Sequence, residues 1–259
     1  MDPKYLPATV VSRREITPEL WVVRLRPQEP VPFTAGQYLT IGLEGGAKMI
    51  ERPYSVASSP LEPELEFFVE LVRHGKLTPQ LYDVGVGGQV YLRRSAKGRF
   101  VLDVSSGHPN HFLVATVTGV APYVAMAREW VTRAERGETV PHRLAVLQGA
   151  SVSTELGYCD ELTRLAQAHP WFRYIPTISR IWTDTDWKGE LGRCEDVARK
   201  HLDALGFTAH NTTAYACGNP DMIENIKGVL KRTGFPKESI KEEVYWVATT
   251  AETGRPRGT

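Results

Sequence analysis

Glu51-Arg52-Pro53-Tyr54-Ser55-Val56-Ala57-Ser58 is a strand-like run that carries a cation, an aromatic ring and a hydroxyl in close order. Alternate side chains of a strand share a face, so Arg52 and Tyr54 point the same way. A phosphate needs the first and a flat conjugated ring the second. A ring nitrogen can use Ser55 or its backbone amide. Taken alone, an Arg and a Tyr on a strand are ordinary surface and core-edge residues. Their meaning comes from what lies around them.

Outward from this run, residues up to about Asp103 alternate short strands with turn signals. Thr9–Ser12, Leu20–Leu25, Tyr38–Leu43, Leu65–Val72 and Gln89–Arg93 read as strands, with Pro27, Pro30 and Glu44-Gly45-Gly46 as breaks. Evenly spaced strands with little helix predict a small antiparallel β-barrel. The exception is Gly75-Lys76-Leu77-Thr78-Pro79, where Thr78 is expected as a helix N-cap and Pro79 as the first helical residue. Such a helix start offers free N–H groups to a pyrophosphate, and Gly75 lets backbone approach closely.

Residues 103–110 are polar and turn-rich, which predicts a boundary between a unit 1–103 and a unit 111–259. Beyond it the period changes. Strands at 112–116, 144–149, 172–178, 213–218 and 240–246 alternate with helices at 120–136, 154–168, 195–202 and 220–233. That alternation predicts an α/β domain with a parallel sheet covered on both faces. Ligands of such sheets bind at the carboxyl ends of strands. Two ends stand out: Thr116-Val117-Thr118-Gly119-Val120-Ala121-Pro122 and Cys217-Gly218-Asn219-Pro220. The tail from Thr249 is read as flexible.

Bulk properties exclude several classes. The 259 residues are 42% hydrophobic and 24% charged, as in a globular protein with room for two cores. A formal net charge of +1 gives no general field for nucleic acid or membrane. No run is long and apolar enough to span a membrane, and residues 1–6 lack a secretory signal, so the cytoplasm is the expected compartment. Cys159, Cys194 and Cys217 suggest neither a disulfide framework nor a metal or iron–sulfur site. Arg93, Arg94, Lys97 and Arg99 crowd one segment, a solvated face or a dock for an acidic partner.

Arg-x-Tyr-Ser, Gly-x-Leu-Thr, a Thr-x-Thr-Gly-x-Ala-Pro turn and Ala-Cys-Gly-Asn-Pro-x-Met, in this order, resemble the bacterial ferredoxin–NADP+ reductases. The likeness runs from about residue 8 to Trp246. It implies an FAD-binding β-barrel followed by a nicotinamide-nucleotide domain. By that resemblance Arg52 holds the FAD pyrophosphate, beside Pro53. Tyr54 stacks on the isoalloxazine and Ser55 lies near flavin N5. Gly75, Lys76, Leu77 and Thr78 hold the pyrophosphate by backbone amides, and Thr116 lies close to flavin and nicotinamide. Gly119 and Pro122 shape the dinucleotide loop, and Cys217 and Gly218 lie by the nicotinamide. Glu243, Tyr245 and Trp246 match the closing carboxyl-terminal strand, with Tyr245 and Trp246 packed on the FAD. Ser55, Thr116, Cys217 and Glu243 are the implied catalytic set.

Three departures qualify this. Val117 stands where the family has the first glycine of Thr-Gly-Thr-Gly, Ser151 stands in place of an Arg, and Gly189-Glu190 in place of a Gly-Arg. A 2′-phosphate is best held by Arg and is repelled by Glu, so NADH and NADPH both stay open, with Arg180 and Arg193 as remaining cations. The chain also runs thirteen residues past Trp246. The implied activity is electron transfer between NAD(P)H and a separate carrier, ferredoxin or flavodoxin, docking near Arg93–Arg99. The competing readings are an NADH-dependent flavin or oxygenase-component reductase, and a non-catalytic FAD-binding sensor or assembly subunit.

Overall fold

The computed structural model describes residues 3–46 and 48–245; Trp246 and the tail lie outside them. The first half forms β1 (Tyr5–Thr17), β2 (Leu20–Pro27), β3 (Tyr38–Gly45), β4 (Lys48–Ser55), β5 (Leu65–Glu70), α1 (Thr78–Asp83) and β6 (Gln89–Arg93). The strands make an antiparallel six-stranded sheet in the order β4-β3-β6-β1-β2-β5. A bridge between Val56 and Phe67 joins the chain just past β4 to β5, curling the sheet towards closure. Pro53 sits on terminal strand β4 opposite Thr40, where a missing N–H costs no ladder bond.

The second half forms β7 (Asn110–Thr116), α2 (Ala121–Glu135), β8 (Arg143–Ala150), α3 (Cys159–Ala168), β9 (Phe172–Ile178), β10 (Glu190–Leu191), α4 (Cys194–Leu205), β11 (Thr212–Gly218), α5 (Pro220–Arg232) and β12 (Ile240–Val244). This parallel sheet has the order β10-β9-β8-β7-β11-β12. The chain leaves β7 towards β8 on one side and returns to β11 on the other. The switch in direction leaves a crevice above the carboxyl ends of β7 and β11.

Period-two patterning explains how the two sheets meet. On β2, Trp21, Val23 and Leu25 fill the barrel interior, while Leu20 and Val22 belong to a second core. On β5, Phe67 and Val69 face inward and Phe68 outward in the same way. The outward set packs with Leu113, Tyr123, Tyr158 and Leu162 of the second half, so one continuous core joins the sheets. The other face of the parallel sheet, with Phe112, Val114 and Ala145, is covered by Val197, Leu202, Ile223 and Ile226 of α4 and α5. Each fully buried side chain of this size contributes about 1.5–3 kcal/mol.

One local expectation is corrected, and one element appears that the sequence did not signal. The helix placed at 154–168 begins only at Cys159, after a short 3-10 turn at Ser153–Glu155. Glu155 turns its carboxylate back to accept the Ser151 N–H at 2.8 Å, which closes a loop where a helix was expected. β10, with two residues, carries no sequence signal of its own. It exists because Glu190 and Leu191 pair with Thr177 and Ile178.

Candidate active site

A cleft of about 1510 Å³ lies between the two sheets. Its walls are β4 and residues 70–78 on one side, and the carboxyl ends of β7, β8, β9, β11 and β12 on the other. A pocket for one drug-sized ligand spans roughly 300–1,000 Å³, so this cleft has room for more than one.

On the barrel side Arg52, Pro53, Tyr54 and Ser55 all line the cleft. Arg52 Nη1 donates to the Glu51 carbonyl at 2.7 Å, which braces the guanidinium along the strand. Burial pushes the Tyr54 hydroxyl well above its ordinary pKa, so the ring stays neutral beside Arg52. Gly75, Lys76, Leu77 and Thr78 also line the cleft. Thr78 is not the N-cap: it is the first helical residue, with Leu77 at the cap position and Pro79 second. Its hydroxyl instead accepts from Val72 N at 2.9 Å and lies 3.2 Å from Val72 O, pinning the loop's return. A Cβ on Gly75 would meet Val72 O at 3.0 Å, so the missing side chain serves the loop's own turn.

Where the sheets meet, Ser55 Oγ donates to Glu243 Oε2 at 3.0 Å, joining β4 to β12. Burial raises the Glu243 pKa, and the Ser55 bond only partly offsets it. Thr116 ends β7, and its Oγ1 accepts from Asn219 N at 2.9 Å, tying the ends of β7 and β11 together. Two glycines permit that contact. A Cβ on Gly218 (φ +119°) would lie 2.5 Å from Thr116 Oγ1, and one on Gly119 2.4 Å from Cys217 O. Asn219 caps α5, its Oδ1 accepting from Asp221 N and Met222 N.

Thr116, Gly218, Glu243 and Tyr245 reach the cleft wall; Cys217, Gly119 and Pro122 do not. Cys217 is fully buried in the core against which Tyr245 packs. Burial pushes the Cys217 thiol far up, so it is a neutral group here. Tyr245 OH donates to Thr118 O at 3.3 Å. Gly119 and Pro122 act from behind: one as the close contact to β11, the other in the first turn of buried α2.

Val117 has φ +43°, unlike every other described non-glycine residue. A β-branched side chain in the left-handed region stores strain of roughly 1–3 kcal/mol. The turn therefore keeps a glycine-like conformation without glycine. The isopropyl group packs against Ala150, Leu156 and Ile178.

On the nucleotide side, Ser151, Arg180 and Arg193 line the cleft. Glu190 does not; its Oε2 is held by Lys200 Nζ at 2.6 Å and His201 Nε2 at 2.8 Å. The Lys200 bond overcomes desolvation to hold its pKa down. The expected repulsion of a phosphate by Glu190 is thus corrected, because its charge is spent on α4. Carboxylates nonetheless occupy this loop: Glu155 takes Ser151 N, and Asp184 Oδ2 takes Ser153 N at 2.6 Å. Sequence reasoning missed Cys194 and Gly192, both on the wall.

These donors suit FAD and a nicotinamide dinucleotide. Cations line both walls, where they could meet anionic phosphates, Tyr54 lines one wall, and the polar Ser55–Glu243 pair lies at their junction. The chain matches the family description "Oxidoreductase FAD-binding domain" over residues 7–101 and "Oxidoreductase NAD-binding domain" over 113–228. It is 30% identical to ferredoxin–NADP reductase of Pseudomonas aeruginosa over 216 residues, covering 78% of this chain and 80% of that protein.

The chain belongs to the ferredoxin–NADP reductase family.

It is an FAD-dependent oxidoreductase of that family, with NADPH or NADH as co-substrate. A second family likeness is to the reductase component of phenol 2-monooxygenase from Pseudomonas sp. (strain CF600). It is 30% identical over 260 residues, 96% of this chain and 70% of that protein. The ferredoxin NADP+ reductase of Neisseria gonorrhoeae, solved with bound FAD and NADP, shares the fold with a TM-score of 0.84. The identity there is 22%, covering 95% of this chain and 100% of that one. Among the described residues no helix is long and apolar enough to cross a membrane.

The basic segment is less charged than it reads. Arg93 is bound in a fork to Glu51 (2.7 Å for both bonds), and Arg94 Nη1 is 2.9 Å from Glu29 Oε2. Exposed Lys97 and Arg99 flank Gly98. A Cβ on Gly98 would sit 3.2 Å from the Tyr38 ring and 3.6 Å from Glu243 Oε1.

Proposed function

We propose that this enzyme passes electrons from NADH to a separate one-electron carrier, a ferredoxin or flavodoxin. Residues 1–103 would serve as the FAD-binding unit and 111–259 as the nucleotide-binding unit. The observation that supports the reading is the Ser55–Glu243 bond, which joins polar side chains of the two sheets at the cleft. FAD, when bound, accepts a hydride and hands electrons on singly. Arg52 and the 75–78 backbone would hold its pyrophosphate, and Tyr54 would stack on its ring. Thr116 and Gly218 leave space for the nicotinamide. Ser55 and Glu243 move the proton. Three free cysteines fit the reducing cytoplasm; recovery in an oxidising extracellular fraction with paired thiols would contradict that placement.

NADH is favoured over NADPH because the Ser151 and Ser153 amides, which could receive a 2′-phosphate, are already taken by Glu155 and Asp184. Asp184 is held ionised by its Ser153 bonds. Arg180 and Arg193 then serve the diphosphate. Rapid mixing with each nucleotide, followed by flavin absorbance, should give at least a tenfold higher kcat/KM for NADH. A tenfold preference for NADPH would reverse the assignment, and a flavin bleached by neither would end the reductase reading.

Carrier docking is assigned to Lys97 and Arg99, the two exposed cations flanking the Gly98 contact with Tyr38 and Glu243. Reversing both charges should lower kcat/KM for carrier reduction about tenfold at low salt, and less at high salt. Reduction of a small dye should be unchanged; an equal fall in both assays rejects this dock. The likeness to a phenol 2-monooxygenase reductase component favours a second reading, in which the acceptor is an oxygenase partner. Carrier-free turnover by an added oxygenase component would select it.

A further inference from the structure

Gln148 is buried and Tyr174 partly buried, and neither lines the cleft. The Tyr174 hydroxyl on β9 donates to Gln148 Oε1 on β8 at 2.7 Å. Gln148, fully buried, passes the chain on: its Nε2 donates to the Val117 carbonyl at 3.3 Å. An amide in mid-strand is costly to bury unless every such bond is made, and an apolar residue would fill the space without that demand. The chain of bonds ends at the strained turn.

Val117 also joins two parts of the wall. Its neighbours Thr116 and Thr118 line the cleft at the end of β7. Its isopropyl group meets Ala150, Leu156 and Ile178, beneath the loop in which Glu155 holds Ser151. Relaxation of Val117 to negative φ would rotate the peptides on either side and shift the wall. A glycine would hold φ +43° with no such tendency.

We propose that Tyr174 and Gln148 are positioning residues: they pin the Val117 carbonyl and so hold the β7 turn in the conformation that receives the dinucleotide. This rests on reading the cleft as a nicotinamide-nucleotide site. The device replaces with a buried hydrogen-bond chain what glycine supplies by its own freedom. It acts on nucleotide affinity rather than on the chemical step, because neither side chain reaches the cleft.

The test is a calorimetric titration of the oxidised, FAD-loaded protein with NAD+ and with NADP+, alongside KM and kcat for the preferred reduced nucleotide. Tyr174→Phe should raise the Kd and KM about tenfold, the scale of one hydrogen bond's net contribution, with kcat within twofold. In a Val117→Gly background the same substitution should change Kd less than threefold. Gln148→Met, which deletes the donor at similar length, repeats the comparison if Tyr174→Phe does not fold. An unchanged Kd in the single variant, or the full penalty retained in the Val117→Gly background, overturns the proposal. Binding of neither nucleotide by the unmodified protein would overturn the nucleotide reading and this inference together; normal binding with an unaffected variant overturns this inference alone.

Discussion

Replacing Arg128 with alanine is expected to cost about 3–5 kcal/mol of stability and to loosen one sheet from the other. Arg128, on α2, forks onto Glu161 at 2.7 and 2.9 Å and reaches Glu66 of β5 at 2.9 Å. The same Glu66 carboxylate accepts from Tyr158 at 2.8 Å and from Arg24 at 2.6 Å. Glu66 is 6% exposed and Arg128 16% exposed, so both charges have given up much of their hydration. Burial alone would raise the Glu66 pKa, but Arg128 and Arg24 overcome it and hold the group ionised. Deleting Arg128 leaves Glu66 only partly compensated and leaves Glu161 without its fork. Urea unfolding, followed by circular dichroism and flavin fluorescence together, measures the loss. If the two signals also separate into two transitions, the cluster is what made the halves unfold as one. A change below about 1 kcal/mol, the scale of an exposed ion pair, would show that Arg24 and Tyr158 suffice.

The same cluster shows how much the sequence could tell. Leu20-Trp21-Val22-Val23 is an apolar run without polar alternation, so that end of β2 is legible as buried on both faces; what covers its outer face is not. Arg24, Glu66 and Arg128 lie 42 and 62 residues apart and come together only through the fold. The strand ends at Thr116 and Gly218 were legible because their turn residues and their likeness to a family are local. Val117 was legible as a departure, yet its retained φ was not, since it depends on β8 and β9. Glu190 and Arg93 misled for one reason: a charge read from sequence has no partner until Lys200, His201 and Glu51 are placed. Thr78 was misread because a Thr-Pro pair signals a helix start without saying which residue caps it. Cys217 was placed by resemblance beside the nicotinamide, but its side chain is buried behind the wall, and Cys194 takes a wall position with no local signal.

Ser55→Ala should slow carrier reduction by about 100-fold, at the lower end of what a positioned proton-transfer group contributes. The balance of the reaction gives the reason. The reduced nucleotide delivers two electrons as hydride and an iron–sulfur carrier takes electrons singly without protons, so with such a carrier one proton must leave the cleft per nucleotide oxidised. Ser55 Oγ and Glu243 Oε2 form the hydrogen-bonded pair at the junction of the two sheets, and Glu243 adjoins the exposed 97–99 segment. A carboxyl whose pKa is raised by burial can hold the proton briefly at Oε2 and give it up to water. Ser55→Ala deletes the hydroxyl that would hand it over and leaves Glu243 without this bond, which should raise the Glu243 pKa further. Glu243→Gln keeps the shape and a hydrogen-bonding partner for Ser55 but cannot take the proton. It should abolish the part of the pH dependence that reports the carboxyl, while flavin content stays normal. The experiment is carrier reduction across a pH series for the two variants, with nucleotide Kd measured in parallel. A rate within threefold for Ser55→Ala, at unchanged flavin occupancy, would mean that water carries the proton and the Ser55–Glu243 bond only ties the two sheets together.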